Sequence, residues 1–376
     1  MAGALIMNEL HLRKAEYNLF PFAFAVWFIA EILFNTTLDE ILPFNLEMIS
    51  GITDCSIFLL LLIQIFLFQE YSPRELIVIV LITIPVAVST LLSGSVRIMG
   101  TWMFLVSFRS TSLDDIVAMT YGILRIMIPA VIFLCLTGLL PDASSYRFDV
   151  LRHSMGFNHP NYFGMKIFQF SSCHIYLHWN SLKGRDVIWA VLIIAFLYLV
   201  PHSVTSILCT TALFLLTFAG RLLEDHSKPL LNVCKNGLMV SAFLFIAAAV
   251  LITLYGMRSP LWQALDAWMS RRLSYANRIF LIYGISLLGQ KVSSSYLLDS
   301  GYMDLILRSG LFVFILFFFS YMWNMAVHKK DTALYILLCT FAFYGIMEYG
   351  VYLIARNIFL LSFADILYAG KRAGRT

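Results

Sequence analysis

Long apolar runs, separated by short polar segments, alternate along the whole 376-residue chain. A helix needs about 20 mostly apolar residues to cross the hydrocarbon core of a bilayer. Twelve runs approach that requirement, although the fourth is short and the last two are separated only near Glu348. The pattern therefore predicts twelve membrane-spanning helices, at 19–35, 52–69, 75–93, 98–109, 115–140, 162–179, 187–201, 204–220, 237–256, 302–324, 332–347 and 351–369.

Basic residues orient these spans. Cytoplasmic loops carry an excess of Lys and Arg, and with twelve spans the short basic loops all fall on one side, together with both termini. The chain is predicted to be an all-α polytopic membrane protein, with residues 1–376 forming a single transmembrane domain. The loops that define the cytoplasmic side contain Arg13, Lys14, Arg74, Arg109, Lys183, Arg185, Arg221, Lys228, Lys235, Lys329, Lys330, Lys371, Arg372 and Arg375.

Composition agrees with this class and excludes others. Apolar residues make up 60% of the chain and charged residues 13%, whereas soluble domains carry about 25% charged residues. Soluble, disordered, fibrous and DNA-binding classes are thereby excluded, and no nucleic-acid partner is expected. None of the six cysteines forms a C-x-x-C pair, so they are expected to be buried small hydrophobic residues. The cluster of Cys173, His174 and His178 leaves a metal site open as an alternative to an interfacial helix end.

Two predicted outer segments are longer than the other outer connections, at 141–161 and 257–301. In the second, residues 260–265 and 273–288 are apolar on one face, which predicts short helices along the membrane surface. We expect these two segments to be functional loops.

The basic residues at the outer side are almost all arginine. Nine of the ten are Arg, although the positive-inside bias disfavours basic residues there. The planar guanidinium binds phosphate or carboxylate through two parallel hydrogen bonds, so this preference predicts an anionic ligand. Ion pairs with Asp142, Asp149, Asp266 or Asp299 are the alternative. The ten residues are Arg97, Arg147, Arg152, Arg258, Arg271, Arg272, Arg278, Lys291, Arg308 and Arg356.

The first outer segment brings several polar groups into a turn-rich stretch. Arg147, Arg152, His159 and Asn161 lie within it, and Asn158-His159-Pro160-Asn161 is typical of a turn. His159 has a reference pKa near neutrality, so it is a candidate for proton transfer, with a structural hydrogen bond as the alternative. Asn161 either caps the sixth span or belongs to the site.

The second outer segment repeats this combination of arginine and polar residues. Arg271, Arg272 and Arg278 lie in or beside a predicted surface helix, Asp299 precedes the tenth span, and Tyr302 begins it. A basic surface helix that touches lipid headgroups is the alternative. The anionic cytoplasmic leaflet would suit such a helix better than the outer one.

Acidic residues near the membrane need partners or a function. Glu348, at the outer boundary, is predicted to be either a general base or an ion-pair partner of Arg356 or Arg97. Glu31 and Arg125 lie within predicted spans, where a structural pair such as Arg125 with Asp365 is expected.

Four short motifs follow in order over residues 140–360. They are Arg152-x-Ser154-x-Gly156-Phe157-x-His159-Pro160-Asn161-x-x-Gly164, then Ser270-x-Arg272-Leu273 with Tyr283-Gly284 and Leu288-Gly289, then Leu298-Asp299-x-x-Tyr302, and lastly Glu348 with Asn357. These motifs resemble those of Wzy-type polysaccharide polymerases, a family related to O-antigen ligases, and the resemblance leaves ligase-type transfer open as an alternative. One departure is Arg271, where many relatives carry a small residue, so either Arg271 or Arg272 could face the site.

The resemblance implies a GT-C-like membrane glycosyltransferase. Such an enzyme joins undecaprenyl-pyrophosphate-linked repeat units of O-antigen, capsule or exopolysaccharide at the outer face of the bacterial cytoplasmic membrane. The implied partners are those lipid-linked oligosaccharides, membrane lipids and a chain-length regulator, and no metal or other cofactor is implied.

The expected roles follow from the chemistry of the leaving group. Guanidinium groups stabilise the charge that grows on a departing pyrophosphate. We assign Arg152 and Arg272 to this role, and either Glu348 or His159 as the base. The residues expected to bind substrate are Arg147, Arg271, Arg278, Asn161, Asp299 and Tyr302. A transporter or flippase of lipid-linked sugars is the alternative from another class, since twelve spans also suit a transporter, although the two halves of the chain do not match as transporter repeats do.

Overall fold

A computed structural model describes residues 18–43, 45–147, 149–268, 271–293, 295–296 and 298–368. In these ranges the chain forms a helix bundle with one two-stranded hairpin. The α-helices are α1 (Phe20–Phe34), α2 (Leu46–Ile63), α3 (Pro73–Ser93), α4 (Arg97–Ser107), α5 (Leu113–Leu136), α6 (Pro160–His178), α7 (Gly184–Leu199), α8 (Val204–His226), α9 (Lys228–Tyr255), α10 (Pro260–Trp268), α11 (Arg272–Tyr283), α12 (Gly301–Asp304), α13 (Leu311–Val327), α14 (Thr332–Met347) and α15 (Phe363–Leu367). The strands are β1 (Ser145–Arg147) and β2 (Val150–Arg152).

The long helices confirm the predicted class of all-α membrane protein. Six helical stretches in the described residues are long and apolar enough to cross a bilayer. Shorter apolar helices, including α1 and α14, pack among them. The six are Leu46–Phe68, Pro73–Ser93, Leu113–Leu136, Val204–His226, Lys228–Arg258 and Leu311–Lys330.

The helix boundaries follow local sequence signals. Ser72 and Glu75 form a capping box at the start of α3, which satisfies backbone N–H groups that the first turn leaves unpaired. Gly94 ends the same helix in the left-handed conformation that glycine adopts without strain. The predicted tenth span is interrupted at Gly310, where φ is +94°, so α13 begins at Leu311.

The last predicted span, 351–369, is wrong as a continuous helix. Turns extend to Asn357, and the segment then forms a 3₁₀ turn (Ile358–Ser362) and α15, which together are too short to span a bilayer as a helix. Hydropathy detects burial but does not distinguish a lipid-facing helix from an irregular chain enclosed by protein. Residues 358–362 are all buried in the bundle.

Neighbouring side chains satisfy the backbone of this irregular segment. Thr101 donates to the carbonyl of Tyr352 at 2.9 Å, and Lys166 donates to that of Ala355 at 3.0 Å. Non-helical backbone at membrane depth is tolerated where protein groups replace the missing bonds. These polar residues therefore explain how an apolar segment stays folded without a helix.

The first and last described residues lie at the same end of the bundle. Asn18 donates to the carbonyl of Ser110 at 3.2 Å, and Tyr368 donates to that of Val106 at 2.6 Å. The opposite end carries the hairpin, α10, α11 and the C-terminus of α14, and is called the site end below.

Ionisable residues inside the bundle are paired, but not as expected. Lys166 lies 3.0 Å from Glu31, and its side chain is fully buried. Asp365 lies 3.5 Å from His328, while Arg125 is on the exposed face of its helix. The expected pair of Arg125 with Asp365 is therefore wrong.

Both long loops are folded, and they meet at the site end. The first forms the β1–β2 hairpin, and the second forms α10 and α11, which agrees with the two short helices expected there. Helix α11 ends at Tyr283, five residues earlier than predicted, because Gly284 adopts a φ of +67°. Leu273, Ala276 and Ile279 form its buried face.

Candidate active site at the site end

The hairpin places two predicted arginines side by side. In its register Ser145 pairs with Arg152 and Arg147 pairs with Val150. Paired residues, and those two apart along a strand, share one face of a hairpin. Arg147 and Arg152 therefore lie on the same face.

Asp142 holds the loop that follows the hairpin. It accepts hydrogen bonds from the backbone N–H groups of Ser154 and Met155, at 2.8 and 2.9 Å, and its other oxygen lies 2.6 Å from His153 Nδ1. Burial raises the pKa of Asp142, but these hydrogen bonds outweigh that effect and hold it below its usual value. Asp142 therefore anchors the loop and does not pair with an arginine.

Arg152 is buried against the turn between α7 and α8. Its Nε donates to the carbonyl of Pro201 at 3.0 Å, and Nη2 donates to the side-chain oxygen of Asn161. Burial, followed by repulsion from Arg147, lowers the pKa of Arg152 to about 10. The guanidinium of Arg152 is thus held close to a second cation, Arg147, which disfavours its positive charge.

Gly164, the last residue of the first motif, permits this arrangement. A Cβ at Gly164 would lie 2.7 Å from Ser206 Oγ and 2.8 Å from Ser203 Cβ. Close contact between α6 and the start of α8 therefore requires glycine, and it holds the turn that contains Pro201 beside Arg152.

His159 caps α6, and Asn161 belongs to the site. His159 is the N-cap of α6, and its Nδ1 accepts a hydrogen bond from the backbone N–H of Asn161 at 3.0 Å. The side chain of Asn161 bridges two motifs instead: it accepts from Arg152 and donates to Glu348 Oε1 at 3.2 Å. The capping role considered for Asn161 is therefore wrong.

The pKa of His159 is lowered by burial and next by the charge of Arg152. A neutral ring whose Nδ1 accepts a hydrogen bond carries its proton on Nε2. In that state neither nitrogen is free to take a proton from a substrate, so the contacts of His159 favour positioning over base catalysis.

Arg272 enters the site because of how α11 begins. Asp266 accepts hydrogen bonds from the backbone N–H groups of Leu273 and Ser274, at 2.7 and 3.1 Å, which fixes the first turn of the helix. Arg271 precedes it with a φ of +60° and an exposed side chain. The start of α11 therefore determines that Arg272, and not Arg271, faces inward.

Arg272 then forms the centre of a network of ion pairs. Its Nη1 lies 2.9 Å from Glu348 Oε1 and 3.3 Å from Thr205 Oγ1, and Nε lies 3.5 Å from Asp299 Oδ2. Burial acts to lower the pKa of Arg272, but Glu348 and Asp299 outweigh it and raise the pKa. Glu348 is therefore paired with neither Arg356 nor Arg97.

The site has more guanidinium groups than carboxylates. Burial, followed by the charge of Arg272, lowers the pKa of Arg147. Glu348 and Asp299 attract Arg147 and Arg272, and Glu348 also attracts Arg152. An anion bound among the three arginines would relieve their mutual repulsion.

Other predicted site residues lie away from this network. Arg271 and Arg278 are exposed, and Ser270 lies outside the described residues. Tyr302 is buried, with its hydroxyl donated to the carbonyl of Ala342 at 2.8 Å, so it supports the interior instead of contacting a ligand. Thr205 was missed, because its only signal in the sequence is that it follows a turn at this end.

The histidine cluster at the opposite end has structural partners. His174 lies 3.2 Å from Tyr121 Oη and 3.4 Å from Asp186 Oδ1. In the part of the chain that the structure describes, no group of three or more His, Cys, Asp or Glu side chains is placed to hold a metal ion.

The two oxygens of the Glu348 carboxylate have different surroundings. Both of its hydrogen bonds, from Asn161 and Arg272, fall on Oε1. Oε2 is left without a hydrogen-bond partner among the described residues, which suits a group that accepts a proton.

Comparisons with protein-family models, with curated proteins and with solved structures found no match.

Proposed function

We propose that the protein is a membrane glycosyltransferase that polymerises undecaprenyl-pyrophosphate-linked oligosaccharide repeat units. One observation carries the proposal. Two motifs from separate loops, containing Asn161 and Arg272, meet on the same oxygen of Glu348, which belongs to a third motif. These are the three groups that the resemblance to Wzy-type polymerases singles out.

The three arginines would bind the pyrophosphate of the donor. Charge grows on this group as the bond to the anomeric carbon breaks, and preorganised donors in a partly dry site stabilise such charge strongly. Arg152 and Arg272 are 5% and 7% exposed, so water screens them little. Arg147 adds a third guanidinium from the same hairpin face.

Glu348 would be the base. A hydroxyl at the non-reducing end of the acceptor attacks the anomeric carbon of the donor and gives its proton to Oε2. The new glycosidic bond forms while the bond to the pyrophosphate oxygen breaks, and pyrophosphate leaves with the electron pair. Asn161 and Arg272 hold Oε1 and so orient the carboxylate.

The site end would face the outer side of the bacterial cytoplasmic membrane. Basic loops such as 183–185 and 328–330 lie at the opposite end of the helices, which suits a cytoplasmic location. In this topology the segment 349–368 is the twelfth crossing, as an irregular chain inside the bundle. Both termini are then cytoplasmic.

The test is reconstitution of the purified full-length chain with two lipid-pyrophosphate-linked repeat units in detergent, where no leaflets exist. We expect a product with two joined units and one released lipid pyrophosphate for each bond formed. No joining in detergent, together with movement of intact units between the leaflets of proteoliposomes, would instead identify a transporter. Joining only to a lipid A core acceptor would identify a ligase.

A further inference from the structure

A second cavity lies beside the site, at the same end of the bundle. It has a volume of about 330 Å³. Its walls are the C-terminal turn of α1, the first turns of α2 and α4, and the irregular segment that follows α14. Its lining residues lie outside the four motifs, and most of them come from the first hundred residues.

The cavity shares its wall with the site. Tyr349, which follows Glu348, lines it, and so does Arg356, whose guanidinium lies 5.5 Å from the ring centre of Tyr162. Tyr162 in turn follows Asn161. Asn35, on the rim, accepts a backbone hydrogen bond from Asn158 in the site loop at 3.0 Å. Adjacent residues therefore face the two spaces.

The charge in the lining is unbalanced. Glu31 is neutralised by Lys166 at 3.0 Å and also accepts from Tyr162 at 2.8 Å. The remaining charged groups of the lining are Arg97 and Arg356 against Asp54. Asp304, outside the lining, also attracts Arg97 but is neutralised by Arg308 at 2.8 Å. One positive charge is thus left over.

Arg97 is the cation that remains available. Its guanidinium lies 5.7 Å from the ring centre of Tyr349, and within the described ranges it forms no hydrogen bond or ion pair. Arg356, by contrast, donates to the hydroxyl of Tyr349 and stacks 3.8 Å from the centre of its ring. A ligand with a negative group would therefore meet Arg97.

Aromatic and polar groups complete the lining. Trp27 contributes an aromatic ring to the lining, and its indole faces the carboxylate of Asp54. Rings stack on the apolar faces of sugars, while carboxylate, amide and hydroxyl groups bind sugar hydroxyls. A free phosphate would make no use of the aromatic part of the lining.

We infer that this cavity binds an acidic sugar, one that carries a carboxylate, with Arg97 as the residue that recognises its charge. Resting on the proposed function, the inference names the non-reducing end of the acceptor as the group bound there.

The experiment is saturation-transfer NMR on the full-length chain in nanodiscs, with sodium glucuronate, glucose and inorganic phosphate as separate probes. Glucuronate should show transfer, and glucose should bind at least about tenfold more weakly, since a hydrogen bond to a charged group is worth about 1.5–3 kcal/mol. Arg97→Gln should remove that preference. Arg258→Gln, outside the cavity lining, should keep it, and so should Glu348→Gln.

Equal transfer to glucose and glucuronate would overturn the inference, and so would competition by phosphate as strong as that by glucuronate. An unchanged preference in Arg97→Gln would do so as well. The binding assay is independent of catalysis. If the chain binds glucuronate but does not join lipid-linked units, only the proposed function is contradicted. If it joins the units but does not bind glucuronate, only the inference about the cavity is contradicted.

Discussion

Arg272 and Glu348 form a buried ion pair, with 2.9 Å between Nη1 and Oε1 and with both side chains 7% exposed. The residues belong to different loops, and 76 positions separate them. A buried pair of this kind is weak evidence for a contribution to stability, because the cost of removing both charges from water offsets their attraction. Its position between Asn161 and Asp299 is better explained by chemistry than by folding.

Arg272→Lys should reduce activity far more than it reduces protein level. Lysine keeps the charge but loses the planar fork that reaches Glu348 and Asp299 at once. We expect the rate of joining to fall by about 10²–10³-fold, as when one preorganised donor is removed. The rate is measured with purified lipid-linked units, and protein level by quantitative blotting.

Arg271→Lys is the matched control for that variant. The side chain of Arg271 is exposed and lies outside the network. The joining rate of Arg271→Lys should therefore stay within about twofold of the wild-type rate, as for most surface changes. A large loss in Arg271→Lys with none in Arg272→Lys would reverse the assignment of the two motif arginines.

Asn161→Ala should separate catalysis from helix capping. The change removes hydrogen bonds to Arg152 and Glu348 but leaves His159 as the cap of α6. Activity should therefore fall sharply while the melting temperature changes little. His159→Ala should show the opposite balance, with a loss of about 0.5–2 kcal/mol of stability, as for other lost caps. Equal melting losses in both variants would restore the capping role to Asn161.

Sequence alone predicted the helices well, because hydropathy and turn residues are local signals. It placed α3, α5, α6 and α14 close to their observed bounds. It could not foresee the irregular course of 349–357, since the groups that satisfy this backbone, Thr101 and Lys166, are distant in sequence.

The candidate site was predictable in its members but not in its contacts. Arginine in outer loops indicated an anionic ligand, and four of the residues named for it, Arg152, Asn161, Arg272 and Glu348, are joined by hydrogen bonds. Which arginine turns inward depended on Asp266, which sets the phase of α11. That carboxylate had been considered only as an ion-pair partner.

Lys166→Met should destabilise the bundle. Removing one member of a buried ion pair leaves the other charge without compensation, at a cost of about 3–5 kcal/mol. Glu31 would lose its partner, and the carbonyl of Ala355 would lose a donor. Thermal melting in a mild detergent measures the effect, with the labelling of buried cysteines as the readout of unfolding.

The double variant Glu31→Gln with Lys166→Met is the control for the lysine change. It removes the uncompensated charge, so it should recover part of the lost stability, as interacting residues do in a double-mutant cycle. Strictly additive losses would mean that the pair is not coupled.

The pH dependence of stability should carry a contribution from His159. Its pKa lies below the reference value of 6.5 because of burial and the charge of Arg152, so the unfolded chain binds more protons in the window below 6.5. Stability then rises with pH through that window and is lost as the pH falls from 6.5 through the folded pKa. Protonation would also end the acceptance by Nδ1 of the hydrogen bond from Asn161.

His159→Asn tests this contribution, because asparagine caps helices well and does not titrate. Melting is compared between about pH 7.5 and about pH 5.5, on either side of the reference pKa of histidine. The variant should match wild type at the higher pH and lose less stability at the lower one. Parallel losses would show that His159 does not titrate in this range, since carboxylates outside the site contribute equally to both proteins.

His159→Asn should keep the joining rate near neutral pH, measured in the same samples. The backbone of Asn161 would remain capped, and its side chain would still bridge Arg152 and Glu348. A rate that collapses at neutral pH while melting is unchanged would instead make His159 the proton acceptor and Glu348 a positioning residue.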